Sequence, residues 1–176
     1  MDRVELAAPG LLLRPWRAQD APAVHAALRE PDIARWNPQG DLVTVADAAA
    51  WIRRRADWSD GGHVSLAVTD ADDGTLLGAV ALHSIVDEDA GIGYWTVVAA
   101  RGRGVATRAV RALSTWGFTA RGLHRIELCH AVANRASCRV AERAGFPAEG
   151  TLRQSHRYGD GRRHDEHLHA RLATDD

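Results

Sequence analysis

Lysine is absent from this 176-residue chain, so arginine alone carries the basic side of its charge. Twenty-two arginines face 23 Asp and Glu, leaving a formal net charge of -1. An all-arginine complement suits forked contacts to phosphate or carboxylate, and equally follows from a GC-rich genome. Near-neutrality argues against nucleic acid or an anionic membrane as the main partner, because both select a basic surface. Cysteine is scarce too. Cys129 and Cys138 make neither a spaced framework nor a CxxC pair, so both are expected as reduced thiols in a cytosolic protein. Long apolar runs are also missing. Asp2, Arg3 and Glu5 precede Leu11, Leu12 and Leu13; three leucines cannot make a signal-peptide core, and no later run is long enough for a bilayer. The expected location is cytoplasmic, with no membrane partner. No repeat, linker or low-complexity block divides the chain, so one domain is expected over 1–176.

What is present is ordinary for a globular fold: 45% apolar and 26% charged residues, at a length that supports a substantial core. Leu11 to Arg14 reads as a strand closed by Pro15. Asp20 is placed to cap a helix running to about Arg29, which Pro31 ends. Thr44 or Asp47 starts a second helix through Trp51 and Ile52. The period then changes to two, with Val64, Leu66 and Val68 on one face of a half-buried strand. Asp72-Asp73-Gly74 signals a hairpin turn before the strand Leu76 to Leu82. A turn at Asp87-Glu88-Asp89 leads to the strand Ile92 to Val98. A long amphipathic helix carries Val105, Ala109, Ala112, Leu113 and Trp116. The strand Ile126 to Val132, a helix through Ser137 to Ala144 stopped by Gly145, and two strands around the turn Gly159-Asp160-Gly161 complete the chain. The fold class is α/β: a mixed, mostly antiparallel sheet of about seven strands flanked by about four helices.

The strongest chemical signal is Arg101-Gly102-Arg103-Gly104-Val105-Ala106-Thr107, between a strand and a helix. Glycines admit close approach of a ligand to the backbone, and the first amides of a helix have no partners within it. With the positive helix end and two arginines, this makes an anion site. It lacks the GKS or GKT ending of a P-loop, and Thr107 stands where a dinucleotide fingerprint needs Gly or Ala. Read alone, the segment is also compatible with an RG-rich RNA arm or a plain helix start.

Arg101-x-x-Gly104-x-Ala106 resembles motif A, (Q/R)xxGx(G/A), of the GNAT acetyltransferases, where it cradles the CoA pyrophosphate. Gly93-Tyr94-Trp95 resembles the "GYW" of the RimJ/RimL branch, and Gly102 to Thr107 its "GxGxAT". Asn134-x-x-Ser137 followed by Ala141-Glu142-Arg143-Ala144-Gly145-Phe146 resembles its second motif. Leu13-Arg14-Pro15-Trp16 with Asp20, and Asp160-Gly161 with Asp165, match its outer landmarks. The resemblance covers nearly the whole chain. It implies acetyl-CoA as co-substrate and a primary amine as acceptor, either a protein N-terminus or a small molecule. A homodimer is compatible with it.

By that resemblance the pantetheine arm enters where the strands at Tyr94 to Val98 and Arg125 to Val132 part. A backbone N–H near Val97 or Val98 polarises the thioester carbonyl. Arg101, Gly102, Arg103, Gly104, Val105, Ala106 and Thr107 hold the phosphates, and Asn134 and Ser137 the arm. The family's usual helix tyrosine falls on Ala141 here, which leaves the Ser137 hydroxyl, one turn earlier on the same face, as proton donor to the thiolate. A back-bonded helix serine is the plain alternative. The family's usual strand glutamate falls on Gly91, leaving the base open among Glu88, Asp89, Glu127 and His130. Glu127 and His130 fall on opposite faces by parity. An α-amine, with a pKa near 8, is about one-tenth neutral at pH 7 and asks little of a base; a lysine amine asks for about 4–5 kcal/mol.

Three other features invite function. His164-x-x-His167-x-His169 puts only His167 and His169 on one face, short of a zinc set, so no metal is expected. Most of the six tryptophans are expected in the core. Trp36, read as a loop residue, is the acceptor-pocket candidate together with Tyr94. Arg53-Arg54-Arg55 reads as a solvated helix face. The leading function is amine N-acetyl transfer. Its rivals are a non-catalytic acyl-CoA-binding or dimerisation module, and an RNA-binding protein, which the charge disfavours.

Overall fold

Alternating apolar side chains build one sheet of eight strands in the computed structural model, which describes residues 4–40 and 42–175. Asp2 and Arg3, used above to read the N-terminus, lie outside the described residues. The strands are β1 (Leu6–Ala8), β2 (Leu11–Pro15), β3 (Val64–Asp70), β4 (Leu76–Val86), β5 (Asp89–Thr96), β6 (Arg125–Ala131), β7 (Ala148–Arg157) and β8 (Arg163–Leu172). Their order is β1-β2-β3-β4-β5-β6-β8-β7. Neighbours are antiparallel except β5 and β6, which run parallel. The helices are α1 (Ala21–Leu28), α2 (Pro31–Trp36), α3 (Val45–Ala56), α4 (Val105–Arg121) and α5 (Arg135–Ala144).

This is the mixed α/β architecture expected, with one strand and one helix more. The extra strand β1 is three residues long, too short for a period to show. The extra helix corrects the reading of Pro31. Pro31 opens α2 instead of merely closing α1, since its missing N–H costs nothing at a first helical position. Trp36 is therefore the last residue of a helix, not a loop residue.

Side-chain size sorts the two faces of the sheet. One face packs Leu13, Leu66, Val80, Leu82 and Ile126 against Val110 and Leu113 of α4 and Ala141 of α5. On the other, the small Ala67 and Ala79 leave room for Trp16, Trp51 and Trp95 beneath α1 and α3. Trp16 lies edge-on to Trp51 at 5.1 Å and stacked on Trp95 at 6.3 Å, and its Nε1–H donates to Ser65 Oγ at 2.9 Å.

Thr44 and Asp47 open α3 as a reciprocal capping box. Asp20 does not cap α1 with its side chain. Its carboxylate turns inward and accepts both arms of the Arg14 fork at 2.8 and 2.9 Å and the Arg17 N–H at 2.8 Å. This buried pair ties β2 to the start of α1. Arg53 and Arg54 are exposed, but Arg55 turns back to donate to Gln39 Oε1 at 2.9 Å. No helix among the described residues is long and apolar enough to cross a membrane.

The sheet opens between its two parallel strands. β5 and β6 pair only where Asp89, Ala90 and Gly91 meet Arg125, Ile126 and Glu127. Beyond Gly91 they part, and a cavity lies along the cleft so formed.

Candidate active site

The cavity is about 540 Å³ and runs from α2 past the β5 edge to the first turn of α4 and across to α5. Gly102 and Gly104, at φ +74° and +72°, bend the backbone so that α4 starts at the cavity wall. Gly104 is the N-cap residue and carries no side chain to serve the helix amides. The first-turn N–H groups of Val105, Ala106 and Thr107 thus have no carbonyl within the helix and line the cavity. Backbone and helix end together form an anion cradle on the segment that the sequence singled out.

The arginines are arranged differently from expectation. Arg101 turns away from the cradle toward α2, with Nη1 2.7 Å from Asp32 Oδ2 and Nη2 3.4 Å from Glu30 Oε2. Its Nε–H donates to Thr96 O at 3.2 Å. It fastens the loop to α2 while still reaching the cavity rim. Arg103 is exposed and 3.8 Å from Asp70. The cations facing the cradle across the cavity are Arg135, Arg139 and Arg143 on α5, which the sequence reading missed. Their spacing of four puts them on one helix face and was the available signal.

The expected carbonyl-polarising amides are also reassigned. Val97 N–H donates to Leu77 O at 3.0 Å, and Val98 N–H to the Glu30 carboxylate at 3.0 Å. Both are committed. Tyr94 O and Thr96 O accept from Asn37 Nδ2 (3.1 Å) and Arg101, away from β4. A strand residue points its N–H and C=O to the same side, so the amides on the open edge are those of Tyr94 and Thr96.

Tyr94 and Ser137 meet across the cleft. The Tyr94 hydroxyl lies 2.6 Å from Ser137 Oγ, either atom able to donate. Burial pushes the Tyr94 pKa up to about 12, against the opposite pull of the Ser137 hydrogen bond. The phenol is a proton carrier throughout the neutral range. Asn134 accepts the Ser137 N–H at 3.2 Å, capping α5 from the cavity wall. Ala141 is fully buried in the first core, so no tyrosine fits at the family's usual donor position.

Two catalytic candidates do not survive placement. Glu127 is not among the residues lining the cavity and pairs with Arg125 at 2.9 Å. His130 lines the cavity, but its Nδ1 sits 2.9 Å from Ala131 O and its Nε2 3.3 Å from His169 Nε2. Burial first, then the neighbouring histidines, lowers its pKa. Nδ1 is taken by the carbonyl, and Nε2 faces His169 instead of a free substrate position.

Gly91, where a glutamate was looked for, is explained by its neighbour: a side chain there would overlap the His83 ring. Desolvation of the ring, then Arg55, lowers the His83 pKa. The His83 ring lies over Gly91, where a glutamate side chain would have gone, but it is exposed and outside the residues that line the cavity; the sequence reading passed over it.

The acceptor end is walled by α2 and the β7–β8 turn. Trp36 contacts Tyr158 edge-on at 5.5 Å and lies under the Arg35 guanidinium at 4.4 Å. Gly159 N–H donates to Arg35 O at 2.9 Å, an approach so close that any Cβ at 159 would strike Ala34 O. Tyr158 donates to Glu166 Oε1 at 2.7 Å. Trp36 and Tyr94, the acceptor-pocket candidates, are both among the residues lining the cavity.

Comparison with known proteins bears on this geometry. Residues 10–147 match the acetyltransferase (GNAT) domain model. YdaF of Bacillus subtilis (strain 168), named as a ribosomal N-acetyltransferase, is 41% identical over 95 residues. That match covers 53% of this chain and 51% of YdaF, so the shared stretch spans about half the length of that relative. A GNAT-family acetyltransferase from Bacillus anthracis superposes with a TM-score of 0.86 at 25% identity, covering 98% of this chain and 100% of that one. RimJ of Mycobacterium smegmatis, solved in complex with CoA-disulfide, gives 0.83 at 27% identity over 97% and 87%. From the family model across most of its length and the cleft that its parted strands enclose, the chain belongs to the GNAT acetyltransferase family.

Proposed function

We propose that this protein transfers the acetyl group of acetyl-CoA directly to a primary amine, with a protein N-terminal α-amine as the acceptor class. The observation that carries the reading is one cavity holding the uncapped α4 N-terminus, the open β5 edge and the Tyr94–Ser137 pair. CoA pyrophosphate fits the cradle between the Val105–Thr107 amides and the α5 arginines, and the arm follows the parted strands. The Tyr94 or Thr96 amide polarises the thioester carbonyl. The amine attacks that carbon and gives up a proton through water to His83, which lies beyond the cavity lining. The C–S bond then breaks, the thiolate takes the Ser137 proton, Tyr94 replaces it, and solvent carries the proton from His83 back to Tyr94, so no net proton is gained or lost. No covalent acetyl-enzyme is required.

The name of YdaF, a ribosomal N-acetyltransferase, supports a protein acceptor, and the low pKa of an α-amine suits a site without a buried carboxylate base. Gly91 favours a second reading, a non-catalytic acyl-CoA-binding module. Following free CoA release over a panel of N-terminal peptides and small amines tests both. Release that depends on one acceptor class supports transfer; tight acetyl-CoA binding with no release above the uncatalysed rate supports the second reading.

A further inference from the structure

Outside the acetyl-transfer chemistry, three histidines and a cysteine converge beneath α5. β6 and β8 are paired so that His130 stands opposite His167, and Leu128 opposite His169. All three imidazoles therefore share one face of the sheet, a register that no single-strand parity could reveal. α5 packs over that face and supplies Cys138. One ligand atom from each of His130, Cys138, His167 and His169 lies within 4.8 Å of every other.

The hydrogen bonds fix what these atoms are. His130 Nδ1 is 2.9 Å from Ala131 O, and His169 Nδ1 is 3.0 Å from Phe146 O. A carbonyl accepts only, so both Nδ1 atoms carry the proton and both Nε2 atoms carry a lone pair. Yet the two Nε2 atoms face one another at 3.3 Å. Two lone pairs at that distance repel unless a cation lies between them. A metal-bound histidine is ordinarily held this way, its other N–H donated to a backbone carbonyl. The separation also matches: ligands about 2.0–2.1 Å from a tetrahedral zinc are about 3.3–3.4 Å apart. A shared proton would satisfy the two Nε2 atoms as well, but it gives no reason for His167 and Cys138 to converge on the same point.

We propose that His130, His167, His169 and Cys138 bind one Zn²⁺ ion as a closed tetrahedral Cys-His₃ site. Mixed nitrogen and thiolate donors select a borderline-soft ion over magnesium or calcium. Four protein ligands leave no open position, so the ion is structural: it pins α5, which carries Asn134 and Ser137, onto β6 and β8. Occupancy replaces the Cys138 thiol by a thiolate, releasing one proton to solvent. His167 and Cys138, the less buried pair, close the remaining gap by side-chain rotation.

The test uses tag-free protein stripped with a chelator, titrated with ZnCl₂ by calorimetry and with Co²⁺ by absorption. The expected result is one ion per chain and a tetrahedral Co²⁺ spectrum with a sulfur-to-metal charge-transfer band. Cys138→Ser removes that band, and Cys138→Ser and His167→Gln each weaken zinc binding by at least about tenfold. His124→Gln, just before the start of β6, leaves both unchanged. Circular dichroism in chelator confirms that each variant is folded; the fully buried His169 is left intact for that reason. Failure to bind stoichiometric zinc overturns the proposal, as does binding that neither Cys138→Ser nor His167→Gln weakens.

Discussion

Removing one hydroxyl of the half-buried Tyr94–Ser137 pair leaves the other without its protein partner. An unsatisfied polar group costs about 1–3 kcal/mol when buried, the lower end applying where cavity water can reach it, whereas removing both partners is close to neutral. Tyr94→Phe and Ser137→Ala should each destabilise by about that amount, and the double variant by less than the sum, giving a coupling of about 1–2 kcal/mol. Kinetics should follow the same logic. If Ser137 passes a proton to the leaving thiolate and Tyr94 replaces it, both single variants lose the same step. General-acid help is worth about 10²–10⁴-fold, and a thiolate leaves fairly well unaided, so about tenfold to a hundredfold in kcat is expected for each. The double variant should lose no more than the worse single one, because residues acting as a unit are not additive. Denaturant melts of the four proteins give the stability cycle; steady-state rates with an acceptor peptide give the kinetic one. With the Tyr94 pKa near 12, the wild type should show no loss of rate from this phenol up to pH 9. Multiplicative losses in kcat, or a Ser137→Ala change confined to KM, would refute the relay and leave Ser137 as a CoA contact only.

Gly104→Asp should abolish acetyl-CoA binding, by repelling the pyrophosphate and straining a φ of +72°; Gly104→Ala, with the strain alone, should lose less, and equal calorimetric affinities for both variants would remove the charge argument. Asp20→Asn should destabilise by about 3–5 kcal/mol, since it breaks a buried ion pair and strands Arg14. Burial alone would raise the Asp20 pKa, but Arg14 and the Arg17 N–H hold it below the usual aspartate value. Its contribution is present above that usual value and lost as pH falls through the lowered one, so the variant should lack this acid-limb slope in melts against pH. His83→Gln should flatten the acidic limb of kcat/KM against pH, because the lowered His83 pKa sets where the base becomes protonated; an unchanged limb assigns the base elsewhere.

The sheet, the long α4 and the cradle were legible because each is a local pattern: period two, period 3.6, and glycines between strand and helix. What escaped was set by contacts distant in sequence. Pro31 reads as a stop from its own chemistry, and only the short gap after Leu28 shows that it starts α2. Val97 and Val98 lie where a polarising amide was expected, but their N–H groups are claimed by Leu77 and Glu30, about 20 and 70 residues away. Parity put Glu127 and His130 on opposite faces, but β6 lines the cavity with both Cys129 and His130, so parity alone could not exclude either from it. The same parity split the three late histidines, and the β6–β8 register brought two of them to His130. Arg101 was read as a phosphate ligand from its motif, and Glu30 and Asp32 redirect it.

Direct transfer is the center of the account, and intact-mass spectrometry of a single-turnover mixture measures it. Protein at a molar excess over isotopically labelled acetyl-CoA is mixed with an unblocked N-terminal peptide and quenched at intervals. The account predicts one labelled acetyl group on the peptide α-amine, free CoA in equal amount, and no acetylated protein at any time. Labelled acetyl on Cys129 or Cys138 ahead of the peptide, or CoA binding with the peptide unmodified, would contradict it.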